Sequence, residues 1–507
     1  GTGKSALIAK AVEQAQAALP KAVIVYRFIG ATPASSDGRS LVDGLCREIS
    51  RHYGADETDL PTDIRELAPE LAKRMALATA QAPLVIFIDS LDQLAARHNA
   101  RSLAWLPAEL PAHVALVVSS RQEEDISSAL RIRQVEELPL GGLEPADGED
   151  LLAQWLAYEE RTLQDAQRRE VLDKFALSQG NPLYLKLAFE EARLWRSGNG
   201  QPPEKLQAGV GGIIAGNMID RLKKEASHGE ALVAHALAYL GAARDGLAED
   251  ELVDLLSRDV DVYDWFFMQS KHLPSDLLAC TMKEHGDERK ATAWLHALRE
   301  NPQALQQFLA AVLPLADGPR LPVVLWSRLS FDLAPYLSER LVDGSALLNF
   351  YHRELGDAAR SLFLGQEQAQ QIHARLAAYF RSKADPEGDR SWNGRHRHGL
   401  SELPYHLTAA GQRQETFDLL TDFRFLEQKA QQVGITTQPG ARKGVEEIHS
   451  QGVLDLLQDV DSALQTFHPG SGQGSAIAAP LILTARQKGK ELSLFCPVCG
   501  STSVIEV

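Results

Sequence analysis

The chain has 507 residues, 44% of them hydrophobic and 24% charged, with a formal net charge of −16. That length is too great for one core and implies three or four domains, while the acidity argues against extended contact with nucleic acid, where Lys and Arg must replace counterions. No apolar run is long enough to cross a bilayer, no signal peptide is visible, and four cysteines in so long a chain make no disulfide framework, so a reducing cytoplasm is the expected setting.

The chain opens on Gly1-Thr2-Gly3-Lys4-Ser5, followed by a helical run from Ala6 to Val12. This spells the second half of a phosphate-binding loop, G-x-x-x-x-G-K-[ST]. Glycines there let backbone N–H groups curl around phosphate oxygens, and the following helix aims its N-terminus at them. Gly1 to Ala6 would thus cradle a nucleotide, with Lys4 reaching its β- and γ-phosphates and Ser5 holding Mg²⁺. The first glycine of the motif would lie five residues before Gly3, so the chain reads as a fragment starting inside its own site, without the strand that feeds the loop.

Helix and strand patterns then alternate to about residue 140. Ala22 to Ile29 reads as a buried strand, Leu41 to Tyr53 and Ile64 to Ala80 as amphipathic helices. Pro83-Leu84-Val85-Ile86-Phe87-Ile88-Asp89-Ser90-Leu91-Asp92 is an apolar strand ending in Asp, the Walker B pattern. A parallel strand delivers such a carboxylate at its C-terminal edge, where ligands of open α/β sheets bind. Asp89 would hold the Mg²⁺ shell and Asp92 would position or activate the attacking water. Read alone, the same residues make a core strand with a capping Asp. Val114 to Val118 is a further buried strand, and Ser119-Ser120-Arg121 puts Arg121 at its tip, suited to a γ-phosphate. The plainer alternative is a surface Arg opening the helix with Glu123 and Glu124. Val135 to Leu138 reads as another short strand. The whole predicts a parallel α/β domain with helices on both faces.

From Glu144 the strands stop. Leu151–Tyr158, Gln164–Ser178 and Pro182–Trp195 read as helices, and Gly180-Asn181-Pro182 as the punctuation between the last two. The order G-T-G-K-S, L-V-I-F-I-D-S-L-D, V-V-S-S-R and G-N-P-L resembles the STAND class of P-loop ATPases, more narrowly its NACHT and apoptotic-protease-activating-factor group, over residues 1 to about 430. The resemblance implies an ATPase that uses ATP/ADP and Mg²⁺, with Pro182 on the adenine side of the nucleotide and Arg121 as sensor 1. It implies self-association on activation, and a protein trigger and effector that the sequence does not name. A bacterial defence or signalling role fits it.

The resemblance also organises the rest of the chain. Residues 1–142 form the P-loop domain, 143–200 a helical lid, and 217–365 a winged-helix domain with a helical insertion at about 258–320. Helical arm residues 366–468 and a linker at 469–507 follow. Within the winged helix, Tyr336 to Phe350 reads as a hairpin turning at Asp343-Gly344. His352 directly after it corresponds to the histidine that meets the β-phosphate of ADP in relatives; by position alone it is a helix cap. Asp385 to Arg397, with Trp392, His396 and His398, reads as a solvated loop. Leu403 to Gly411 and the stretches after it read as short helix pairs. Cys46 and Cys280 read as core residues. Cys496-Pro497-Val498-Cys499-Gly500 offers two thiolates to Zn²⁺, half of a zinc ribbon; a redox C-x-x-C is the alternative. Two rival functions remain: a helical scaffold on an inactive P-loop domain, and a transcription regulator binding DNA through the winged helix.

Overall fold

The structure, a computed structural model, describes residues 3–467 apart from 31–34, 36–37, 57–59, 62–63, 95–96, 122–123, 134, 197–204, 316, 343–344, 434 and 440–445. The chain divides into two compact units, Gly1–Ile213 and Ile214–Val507.

The first unit is built on a parallel sheet of β1 (Val23–Phe28), β2 (Leu84–Asp89) and β3 (Val114–Val118), in that order. The register pairs Phe28 with Asp89 and Ile88 with Val118, so the three strands end together. The strand period of two sends alternate β2 residues to opposite faces. Leu84, Ile86 and Ile88 enter a core with Leu45 and Ile49 of α2 (Gly38–Tyr53) and Leu67 and Leu71 of α3 (Ile64–Met75). Val85 and Phe87 face α1 (Lys4–Ala18), where Ile8 and Val12 lie one turn apart and close on Phe87. Burial on both faces is what a near-continuous apolar strand requires. After α4 (Glu124–Arg131) come α5 (Pro145–Tyr158), α6 (Asp165–Leu177), α7 (Pro182–Ala192) and the short α8 (Val210–Ile213).

Val135 to Leu138 is not a strand: the segment has no ladder partner among the described residues, and Leu138 is 86% exposed. Two apolar residues flanking two glutamates gave a strand-like pattern, but without a neighbouring edge the backbone groups have nothing to pair with. The helix expected to reach Ala80 ends at Met75.

The second unit begins with a π-helical turn (Ile214–Ile219) and α9 (Asp220–Lys223), then α10 (Glu230–Ala242), which is buried nearly all round. A helix apolar on every face belongs at the centre of its unit. The short β4 (Leu247–Ala248) and α11 (Glu249–Arg258) follow, with the Glu251 carboxylate accepting from the Ala248 N–H at 2.8 Å in a capping contact. Four helices come next: α12 (Val260–Gln269), α13 (Ser275–His285), α14 (Glu288–Arg299) and α15 (Pro302–Val312). Then α16 (Val323–Leu333) leads into the hairpin β5 (Leu337–Val342) and β6 (Ser345–Phe350). The antiparallel order is β4-β6-β5. The turn expected at Asp343-Gly344 lies outside the described residues.

The remainder is mostly helical: α17 (Arg353–Phe363), α18 (Gln366–Ala384), α19 (Arg397–Ala409), α20 (Arg413–Thr421), α21 (Phe423–Gln432) and α22 (Gln451–Phe467). A two-stranded pair, β7 (Ile435–Pro439) and β8 (Glu446–Ser450), interrupts it where only helices were expected. Two further expectations need correction. Helix α19 starts at Arg397 rather than Leu403 and carries Pro404 inside it. The stretch expected to be a solvated loop is not solvated throughout: Trp392 is buried, with its indole donating to Asp422 at 3.0 Å, and His398 is buried in the first turn of α19. Cys46 is fully buried and Cys280 only partly.

Candidate functional site

Helix α1 lies along β1 and β2 and is followed by Leu19, whose carbonyl accepts from the Ala22 N–H at 2.9 Å just before β1 begins. Its 15 residues rise ~22 Å, close to the ~20 Å of a six-residue strand. Its N-terminus carries Lys4, Ser5 and Ala6 behind Gly3, and the three strands end at one edge of the sheet. Gly3 precedes the helix in the left-handed region at φ 85° and offers no side chain to cap its first turn. Gly1 and Thr2 lie outside the described residues.

At the same edge the Asp89 carboxylate is 2% exposed and held on both oxygens. The Ser119 hydroxyl, one residue past β3, donates to Oδ1, and the Ser90 hydroxyl donates to Oδ2 at 3.2 Å. Ser119 Oγ in turn accepts from the Ser90 N–H at 2.9 Å, with Ser90 left-handed at φ 60°. Three residues on, Asp92 is also buried. Its Oδ1 accepts from the Arg121 N–H at 3.1 Å, and its Oδ2 lies 3.8 Å from the Arg121 guanidinium. Arg101 donates to the Asp92 carbonyl at 3.3 Å and pairs with Asp125 at 2.6 Å. The sheet edge gathers Asp89, Asp92 and Arg121, while Lys4 and Ser5 stand at the N-terminus of α1, the helix packed on β1 and β2. The hard oxygens of Ser5 and Asp89 suit Mg²⁺, the α1 N-terminus suits an anion, and Arg121 suits phosphate.

Pro182 opens α7 in the same unit, behind Asn181, whose side chain accepts from the Leu183 N–H at 2.9 Å. Gly180 is left-handed at φ 65°, and a Cβ there would meet the Leu143 carbonyl oxygen at 2.2 Å. That turn needs glycine for both reasons, and the Leu143 N–H donates to the Gly180 carbonyl at 2.7 Å.

His352 belongs to the second unit, where its Nδ1 accepts from the Glu354 N–H at 3.2 Å at the start of α17. Cys496 and Cys499 lie outside the described residues.

Sequence reasoning missed Ser119 and Ser90, whose signal was their polarity at strand ends. It also missed a buried polar chain in the second unit. Glu402 of α19 is fully buried and accepts from the Arg244 and Asp245 N–H groups, each at 3.2 Å. His406 Nε2 lies 3.0 Å from Glu402, and His398 Nδ1 lies 2.7 Å from Glu251 of α11. Burial opposes the charge on His398, but Glu251 and Glu402 outweigh it and raise its pKa to about 10. Burial, reinforced by His406, pushes His373 down to about 3. Among the described residues, His235, Asp259 and Asp261 are spaced like metal ligands, but Arg375 and Tyr239 already donate to those carboxylates.

No protein-family model matches the chain. It is 30% identical over 398 residues to human NACHT domain- and WD repeat-containing protein 1, covering 75% of this chain and 22% of that protein. It is 29% identical over 394 residues to human NACHT and WD repeat domain-containing protein 2, covering 75% and 20%. Mouse telomerase protein component 1 is 24% identical over 413 residues, 79% of this chain and 14% of that protein. The chain spans about a fifth of the length of the first two relatives. A solved STAND protein with a tetratricopeptide repeat sensor from Pyrococcus horikoshii aligns over 94% of this chain and 70% of its own, at 11% identity. Its TM-score of 0.33 is too low to carry weight. By its kinship over three quarters of its length, the chain is a homologue of the NACHT and WD repeat-containing proteins.

Proposed function

We propose that the chain is the nucleotide-responsive part of a STAND-type signalling ATPase, closed with ADP and self-associating with ATP. What best supports this is the pair of buried acids, Asp89 and Asp92, beside Arg121 at one sheet edge, together with a glycine-led helix packed on the same strands. In this reading Lys4 contacts the β- and γ-phosphates, and Ser5 and Asp89 hold Mg²⁺, which supplies charge neutralisation on the phosphates. Asp92 orients the attacking water, and Arg121 reads the γ-phosphate. Pro182 borders the adenine, and His352 donates to the β-phosphate in the ADP form. The helix–strand–helix start of the second unit, with its later helix and hairpin, is proposed as a winged helix carrying a helical insertion. Cys496 and Cys499 are proposed as half of a zinc ribbon.

The test is the nucleotide that the purified protein retains, identified after denaturation by ion-exchange chromatography. Stoichiometric ADP or ATP that Lys4→Ala abolishes supports the reading. A wild-type protein free of nucleotide that also fails to take it up favours the scaffold.

A further inference from the structure

We propose that Ser119 is a positioning residue for Asp89, fixing the carboxylate that would face the metal; this rests on the nucleotide-site reading above. The Ser119 hydroxyl has one proton and two lone pairs. Its proton goes to Asp89 Oδ1, and a lone pair takes the Ser90 N–H at 2.9 Å. That N–H belongs to the residue directly after Asp89, so one hydroxyl grips the side chain and the backbone of the same corner. The backbone of Ser119 completes the hold: its N–H donates to the Ile88 carbonyl and its carbonyl accepts from the Leu91 N–H, both at 2.9 Å. Ser119 is 30 positions from Asp89 in sequence and 9% exposed, and its hydrogen bond to Asp89 is buried, shielded from water that would compete for the carboxylate.

The consequence is a division of labour between the two carboxylate oxygens. Oδ1 is anchored to Ser119 at the end of β3, while the contact of Oδ2 among the described residues is the 3.2 Å one with the neighbouring Ser90 hydroxyl, a rotor that can turn away. Asp89, fixed in this way by Ser119, would then be the carboxylate that holds Mg²⁺. Two positions further on, the Arg121 N–H holds Asp92, so residues 119–121 set both acids from one strand end.

The test measures Mg²⁺ dependence rather than activity alone. ADP binding to the full chain is titrated by calorimetry in EDTA and over a range of Mg²⁺ concentrations, for wild type, Ser119→Ala, Ser119→Thr and Lys4→Ala. The expected result is a roughly tenfold rise in the Mg²⁺ concentration needed for half-maximal tightening in Ser119→Ala. Its EDTA affinity stays within twofold of wild type, and Ser119→Thr restores the Mg²⁺ dependence. Equal Mg²⁺ dependence in wild type and Ser119→Ala overturns the proposal, as does an equal loss in EDTA, which marks a merely structural role. If wild type binds no ADP at all, or Lys4→Ala binds as well as wild type, the nucleotide-site reading itself fails.

Discussion

The backbone N–H of Arg121 donates to Asp92 Oδ1 at 3.1 Å, and its guanidinium stays 3.8 Å from Oδ2 of the same carboxylate. The two residues are 29 positions apart, yet the ends of β2 and β3 bring them into one contact. A carboxylate held by a backbone donor keeps its orientation while the guanidinium, 37% exposed, can swing to another anion. Asp92→Asn keeps the shape and the backbone contact but removes the charge. Its hydrolysis rate should fall by about a hundredfold with nucleotide affinity within a few fold, read by phosphate release under saturating ATP. Unchanged turnover would remove Asp92 from the chemistry.

The sheet makes a stability prediction of its own. Ile86 is fully buried in the α2–α3 core, whereas Val117 on β3 is 40% exposed. Ile86→Ala should cost about 3 kcal/mol, since it removes buried methyl groups and leaves a cavity. Val117→Ala should cost under about 1 kcal/mol. Urea unfolding of the two variants side by side checks the ratio; equal costs would contradict the assigned faces.

The second unit should lose stability at alkaline pH. His398 titrates at about 10 in the folded chain because Glu251 and Glu402 hold its proton against the penalty of burial, compared with 6.5 for an ordinary histidine. A folded-state pKa above the unfolded one gives stability that is complete below about 6.5 and fades as pH climbs to about 10. The slope is at most about 1.4 kcal/mol per pH unit. Denaturant unfolding followed at pH 7, 8 and 9 should show that decline, and His398→Gln should flatten it. A variant with the wild-type slope would assign the decline elsewhere.

Losing His352 should matter more to nucleotide retention than to folding. It caps α17 through a 3.2 Å contact and meets the Tyr351 ring edge to face, and a cap of this kind is worth about 1 kcal/mol. His352→Asn can keep the cap while changing the phosphate donor. We expect a protein of near wild-type melting temperature that retains at least fivefold less ADP on purification; full retention would reduce His352 to its capping role.

Much of the first unit was legible because its signals are local. The run from Leu84 to Asp89 carries its own period and its own polar terminus, and Gly180-Asn181-Pro182 carries its own punctuation. What stayed hidden depends on partners far along the chain. Nothing near Ser119 announces Asp89, and nothing near His398 announces Glu251, which is 147 positions away. The run around His396 therefore looked like a polar loop, although one of its histidines is buried against a carboxylate. Val135 to Leu138 failed for the converse reason: a strand-like pattern is insufficient without an edge to pair with.

The central claim is that a magnesium-bound nucleotide sits where α1 begins. Equilibrium titration of Mg²⁺–ADP and Mg²⁺–ATP into the full chain and into Lys4→Ala, by calorimetry, addresses it most directly. Saturable binding at one site per chain, weakened about a hundredfold or more by Lys4→Ala, is the predicted result. No binding by the wild type, or equal affinity in the variant, would contradict it.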